Sequence, residues 1–160
     1  RSLQPVPAGQ GELPAMECLW LPYYLVRVST RFGDLRDVKQ MAVDGWLGSA
    51  VITERGPDIE DREIESRDLL PARLSSDEAA DWARKALFTM YLHGRAQLSR
   101  PSVEHVLETS RYYHPYWVLY RRVLLGRGTD IDLMDAYTGK ACGGQVRHAL
   151  LNALVQWHRT

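Results

Sequence analysis

Cysteine is scarce in this chain, which contains only Cys18 and Cys142 among its 160 residues. A disulfide scaffold uses far more, so that class of protein is excluded. The sequence gives no distance between the two Cα atoms, and free cysteine is commonly a buried small hydrophobe. Two free thiols are therefore the simpler expectation. The sequence does not decide whether a disulfide joins them, and it does not identify the cellular compartment of the protein.

Charge of one sign and long apolar runs are also absent. The chain has 20 basic and 20 acidic residues, which give a formal net charge of +0. A general nucleic-acid binder usually shows a basic excess, so the sequence predicts no nucleic-acid partner. No apolar run approaches the ~20 residues that a membrane span needs. With 45% hydrophobic and 25% charged residues, the composition is typical of an ordinary globular protein.

Motifs for metals and phosphates are missing as well. The histidines are scattered, with no pair spaced i, i+4 on one helix, and there is no Cys-x-x-Cys pair. A calcium loop would need alternating oxygen ligands and a distal Glu, which the Asp-containing turns lack. The Gly-rich segment 139–144 departs from the phosphate-loop pattern, because Ala141 stands where that pattern has Ser or Thr. The sequence therefore predicts no metal site and no cofactor.

The N-terminal segment 1–14 differs in composition from the rest of the chain. It contains prolines and glycines but few large apolar residues, which is typical of a flexible arm. The chain begins at Arg1 without an initiator Met or a signal-peptide pattern, as expected for a processed product or an excised domain. Residues 15–160 are long enough to form a single compact domain.

A repeated pattern is the most informative feature of this domain. Residues 21–24 read Leu-Pro-Tyr-Tyr and precede an Asp-Gly-Trp-Leu-Gly turn at 44–48. Residues 114–117 read His-Pro-Tyr-Trp and precede an Asp-Ala-Tyr-Thr-Gly turn at 135–139. We interpret the pattern as one supersecondary unit that is used twice. In each turn we expect the Asp side chain to accept hydrogen bonds from backbone amides ahead of it, and the Gly to take a positive φ.

Strands are predicted from runs of aromatic and β-branched residues. The two pseudo-repeats cover about 15–56 and 75–160, and a connector of interleaved acidic and basic residues (54–68) joins them. Segment 102–109 fits either a helical turn or a strand. The predicted strands are 18–28, 38–44, 49–53, 112–125 and 131–134, with turns at 31–34 and 126–128.

Two helices are predicted to cover the sheet. Ser75 and Glu78 form a capping box, which begins a helix over 77–93 that Gly94 ends. Apolar residues spaced three and four apart predict a second helix over 145–158. Because each helix has one apolar face, the predicted fold class is α+β: two related antiparallel β-hairpin units, an internal duplication, with the helices packed on the sheet.

The aromatic residues of the repeated segments are the candidate binding site. We expect Tyr23, Tyr24, Tyr116 and Trp117 to form a surface that recognises a protein partner, because Tyr and Trp combine large area with a polar group. The competing interpretation is that these side chains fill the core between sheet and helices. No catalytic residue is assigned.

An alternative function depends on Cys142. This residue stands beside Gly143 and Gly144 at a predicted helix start, where the pKa of a thiol can be depressed. His114 or His148 would then act as its base, although no spacing in the sequence brings either one close to the thiol. The alternative is a small-ligand-binding or enzyme domain with its site at this helix N-terminus.

The helix over 77–93, the aromatic strand after it and the segment Met-Asp-Ala-Tyr-Thr-Gly-Lys at 134–140 resemble the closing part of PepSY-type domains. In those small α+β modules a helix packs on a short antiparallel sheet. The resemblance implies a binding or regulatory role and supplies no catalytic residues. The leading prediction is a non-enzymatic interaction or regulatory domain within a larger protein or complex. The sequence does not define its oligomeric state.

Overall fold

The computed structural model describes residues 15–93, 100–122 and 129–157. Its strands form one five-stranded antiparallel sheet with the order β3-β2-β1-β4-β5. The predicted class, α+β, is confirmed. The elements in chain order are β1 (Met16–Phe32), β2 (Leu35–Asp44), β3 (Ala50–Ile52), a short 3-10 helix (Ser66–Asp68), α1 (Ser76–His93), β4 (Ser102–Arg122), β5 (Thr129–Asp135) and α2 (Gly144–Trp157).

Both predicted helices are present, each within one residue of its predicted start. In the described part of the chain, neither helix is long and apolar enough to cross a membrane. Several predictions fall outside the described residues and are not compared with the structure. They are the arm at 1–14, the helix stop at Gly94, the turn at 126–128, the end of the strand predicted over 112–125 and the last residue of the helix predicted over 145–158.

The chain divides into two compact units, and each contains segments that are distant in sequence. Of the described residues, unit 1 comprises 15–21, 64–71, 114–122 and 129–157, and unit 2 comprises 22–63, 72–93 and 100–113. Strands β1 and β4 therefore contribute one part to each unit. The unit boundaries do not follow the predicted pseudo-repeats, and internal duplication remains a prediction.

The core of unit 2 lies between α1 and one side of the sheet. Alternate residues of β1 and β2 point to this side, as the pleat of a strand requires. On α1, the buried Ala79 and Ala83 are four residues apart and therefore lie on the same face of the helix. The buried residues of this core are Tyr24, Val26, Val28, Met41, Val43, Leu74, Ala79, Ala83 and Leu87.

The capping box at the start of α1 forms as predicted. The Ser75 amide donates to Oε2 of Glu78 at 2.8 Å, and the Glu78 amide donates to Oγ of Ser75 at 3.2 Å. These bonds satisfy donors that the first helical turn leaves without partners. The hydrogen bond from the Ser75 amide also lowers the pKa of Glu78.

The core of unit 1 is formed by the other parts of β1 and β4 together with β5 and α2. Arg147 fixes the first turns of α2, because its Nε donates to the Ile131 carbonyl at 3.0 Å and its guanidinium pairs with Asp130. The buried apolar residues of unit 1 are Leu19, Leu21, Leu70, Tyr116, Val118, Ile131, Leu133, Ala149, Leu150, Ala153 and Leu154.

Most strand bounds differ from the prediction by one to four residues, and the start of β4 differs by ten. Strand β4 begins at Ser102, so the start predicted at 112 is wrong and the ambiguous segment 102–109 is a strand. Strand β1 continues through Pro22, but its pattern of burial changes there: Leu19 and Leu21 are buried before it, and Tyr24 and Val26 after it. A single alternating pattern therefore does not describe β1.

Candidate functional site

Two of the four predicted binding residues lie in the interior. The Tyr24 side chain is 2% exposed in the core of unit 2, and its hydroxyl donates to the Leu74 carbonyl at 2.5 Å. Tyr116 is 6% exposed within unit 1. The expectation that these two side chains are exposed is therefore wrong, because both fill space beside apolar residues. Tyr23 and Trp117 are half-buried, and their binding role remains a prediction.

Tyr23 is part of an aromatic pair in unit 2. Its ring stacks on that of Tyr112 with the centroids 5.7 Å apart and the planes inclined by 25°. Burial raises the pKa of Tyr112 to about 12, so its phenol stays protonated and able to donate a hydrogen bond even at moderately alkaline pH. The pair joins β1 to β4. The sequence alone could not predict it, because the contact exists only when these two strands lie side by side.

A surface of unit 2 carries two open grooves of about 450 and 470 Å³, which share Val38. We call this surface the groove face. Val38 and Leu107 are 40% and 51% exposed there, although both are apolar. The first groove is lined by residues that include Arg27, Val38, Gln40, Thr53 and Glu54, and the second by residues that include Ser29, Arg36, Val38, Glu104, His105 and Leu107.

Ion pairs between β1 and β4 lie along the groove face. Nη1 of Arg27 is 3.3 Å from Oε2 of Glu108, and Nε of Arg31 is 2.8 Å from Oε1 of Glu104. The Ser29 hydroxyl donates to the other oxygen of Glu104 at 3.3 Å. The Arg27–Glu108 pair is exposed, and pairs of this kind contribute little to stability because water screens them. Their effect is to place charged groups of both signs around exposed apolar side chains.

The two Asp-containing turns have the same backbone hydrogen bonds. The Asp44 amide donates to the Ser49 carbonyl, and the Asp135 amide donates to the Lys140 carbonyl, each at 2.9 Å. Each Asp carbonyl accepts from the turn glycine, and each Asp Oδ1 accepts from the second and third amides after it. Gly48 and Gly139 have φ of 73° and 67°. The predicted turn chemistry is therefore confirmed at both places.

The two Asp side chains differ in their surroundings. Asp44 is buried, and this burial raises its pKa despite hydrogen bonds from the Trp46 and Leu47 amides. Burial also acts to raise the pKa of Asp135, but hydrogen bonds from the Thr138 amide, from His114 and from the Tyr137 amide outweigh it. The pKa of Asp135 is therefore lowered, and this carboxylate is the more readily ionised of the two.

His114 connects the second turn to its neighbours in unit 1. Its Nε2 is 2.9 Å from Oδ2 of Asp135. Its ring centroid lies 4.9 Å from that of Tyr116 and 5.4 Å from that of Tyr137. The imidazole is thus held between a buried and an exposed aromatic ring, beside a carboxylate.

Cys142 does not have the electrostatic environment that the alternative function requires. Burial raises the pKa of its thiol, and the nearby Asp135 carboxylate raises it further. The direction is opposite to the depressed pKa of an activated cysteine. His148, the second candidate base, is on α2 with its Nε2 3.2 Å from Nδ2 of Asn152. Cys18 and Cys142 are not joined to each other by a disulfide bond.

Among the residues that the structure describes, no group of three or more His, Cys, Asp or Glu side chains is arranged to hold a metal ion. No protein-family model, curated protein or solved structure matches this chain. The resemblance to PepSY-type domains therefore remains a prediction.

Proposed function

We propose that this chain is a non-enzymatic interaction or regulatory domain that binds a protein partner through the groove face of unit 2. The observation that carries the proposal is the exposure of Val38 and Leu107 beside two open grooves. A fold gains free energy by burying such side chains, so leaving two of them exposed at one groove favours a use in binding.

The composition of the groove face supports recognition of a protein rather than of a small apolar ligand. Protein interfaces combine a central apolar or aromatic patch with a polar rim, and Arg is enriched in them. On this surface, Arg27 lines one groove with Val38, and Glu104 lines the other with Leu107. Both grooves are open troughs that do not enclose a ligand, unlike most small-molecule sites.

Tyr23 extends this surface along β1. It is on the same side of the strand as Arg27 and Ser29, since alternate residues point the same way. The partner that fits this surface is a polypeptide segment with apolar side chains for Val38 and Leu107 and charges of both signs for the rim. Trp117 belongs to unit 1, and its role is not needed for this proposal.

Site-specific crosslinking tests the proposal. A photoreactive amino acid at Leu107 is compared with the same group at Phe88, which is 56% exposed on α1 and serves as the matched control. The polypeptide captured only from position 107 is purified, and its affinity is measured for the unmodified chain, Leu107→Asp and Phe88→Asp.

We expect Leu107→Asp to weaken binding by about tenfold or more, because burying an unpaired carboxylate costs more than 1.4 kcal/mol. Phe88→Asp should bind as the unmodified chain does. Equal capture from both positions, or an affinity that Leu107→Asp leaves unchanged, contradicts the proposal. Unfolding curves of both variants show whether either change disturbs the fold.

A further inference from the structure

The Asp44 turn of unit 2 is covered by the segment that leads into α1. The Gly45 carbonyl accepts hydrogen bonds from the Arg73 and Leu74 amides, each at 3.0 Å. The Trp82 ring lies so close to Gly48 that a Cβ there would be 2.9 Å from a ring carbon. This turn is therefore a docking site that the chain itself occupies with a helix N-terminal segment.

The Asp135 turn of unit 1 has the same internal hydrogen bonds but no such cover among the described residues. Tyr137, the counterpart of the 4% exposed Trp46, is 65% exposed. A Cβ added at Gly139 would meet no atom within 4 Å. Within the described ranges, the Ala136 carbonyl accepts no backbone pair like the one that Gly45 accepts. The difference thus lies in what covers each turn.

We propose that residues 135–140 form a second docking site, which accepts the N-terminal segment of a helix from a partner protein. The contacts at the Asp44 turn specify its chemistry. Two successive backbone amides just before the helix bind the Ala136 carbonyl, and an aromatic side chain from the second helical turn covers Gly139. This proposed site does not include any residue of the groove face. A failure of either proposal would leave the other unaffected.

Charge supports a helix N-terminus as the occupant. Lys140 is exposed and forms no ion pair with any residue in the described part of the chain. Helix N-termini favour acidic residues in their first turn, as α1 shows with Asp77 and Glu78. A partner helix with acidic residues in its first turn would bring carboxylates close to the Lys140 ammonium. The corresponding residue of the first turn is Ser49, which is uncharged and needs no such partner.

The test is an NMR titration of the ¹⁵N-labelled chain with a synthetic peptide of residues 72–93, the segment that covers the Asp44 turn. We expect saturable shifts at Tyr137, Thr138 and Gly139 with a dissociation constant below about 1 mM. Tyr137→Asp should weaken this binding by about tenfold, because it removes the exposed ring that the peptide covers. Leu119→Asp, at another exposed apolar residue of unit 1, should leave it unchanged.

Two results overturn the proposal directly. One is a lack of saturable shifts at residues 137–140, and the other is a set of shifts confined to the Asp44 turn, where the peptide would replace α1. Two further results would identify a different occupant and also overturn it. A shift of the Tyr137 signals on deletion of residues 1–14 would identify the N-terminal arm, and a shift with protein concentration alone would identify a second copy of the chain.

Discussion

Nε2 of His114 lies 2.9 Å from Oδ2 of Asp135. Among the described residues this contact has no counterpart at the Asp44 turn, and the residue before Pro22 is the buried Leu21. Two turns with the same backbone bonds thus place their carboxylates in opposite environments. The Asp44 carboxylate is buried, and the Asp135 carboxylate is paired with an imidazole. Differences in ionisation between the two turns follow from this contrast.

Replacing His114 by Leu, the residue at the corresponding position of the first turn, should raise the pKa of Asp135. The change removes one of the hydrogen bonds that hold this pKa down, while burial continues to raise it. An NMR titration of the side-chain carboxyl carbon measures the effect. His148→Gln, on α2, is the control and should leave the Asp135 titration where it was. An unchanged Asp135 pKa in His114→Leu would show that the pair has no electrostatic role.

The two turn carboxylates should make the free energy of unfolding depend on pH in opposite directions. The pKa of Asp135 is lowered in the folded state, so its contribution is present above its usual pKa near 3.8 and is lost as the pH falls below that value. The pKa of Asp44 is raised, so its contribution is present below 3.8 and is lost as the pH rises through the raised pKa.

Urea unfolding of Asp44→Asn and Asp135→Asn between about pH 3 and 7 measures these contributions. The stability advantage of the unmodified chain over Asp135→Asn should shrink on acidification below pH 3.8. The stability of Asp44→Asn relative to the unmodified chain should increase as the pH rises. The assigned environments would be contradicted if the stability advantage of the unmodified chain over each variant changed with pH in the same direction.

Alanine at the two turn glycines should have unequal costs. Both residues have a positive φ, so either substitution costs roughly 1 kcal/mol in backbone strain. Gly48→Ala must also displace the Trp82 ring, whereas Gly139→Ala meets open space. Chemical unfolding should therefore show the larger loss for Gly48→Ala. Equal losses would mean that Trp82 does not cover the first turn in solution.

Cys142 should react slowly with alkylating reagents at neutral pH. Its raised pKa leaves less thiolate than an exposed thiol has, and thiolate is the reactive form. The alkylation rate of Cys142 in a Cys18→Ser background, measured with iodoacetamide and compared with that of glutathione, checks this expectation. A rate above that of glutathione would support the alternative function at the start of α2.

The sequence was sufficient for features that depend on neighbouring residues. The capping box of Ser75 and Glu78 and the turns at Asp44 and Asp135 each involve a side chain and a backbone amide within three positions. Local chemistry fixes such contacts whatever the rest of the fold does. The helix bounds could be predicted for the same reason, because the capping residues and the spacing of apolar residues indicate the same start and length.

Features that depend on strand pairing could not be predicted from the sequence. The start of β4 at Ser102 reflects its position beside β1, where Glu104 meets Arg31 across the sheet. The burial of Tyr24 depends on α1, which follows about fifty residues later in the chain. The groove face depends on pairing as well, since Val38 and Leu107 line one groove only after distant strands have met.

The central claim, that the groove face binds a protein partner, is tested most directly by methyl NMR of the labelled chain. The partner captured from position 107 is added to a sample in which Val and Leu methyl groups are observed. The proposal predicts that the Val38 and Leu107 signals shift or broaden in proportion to bound partner, while those of Leu92 on α1 stay in place. Unchanged Val38 and Leu107 signals in a saturated complex would contradict it.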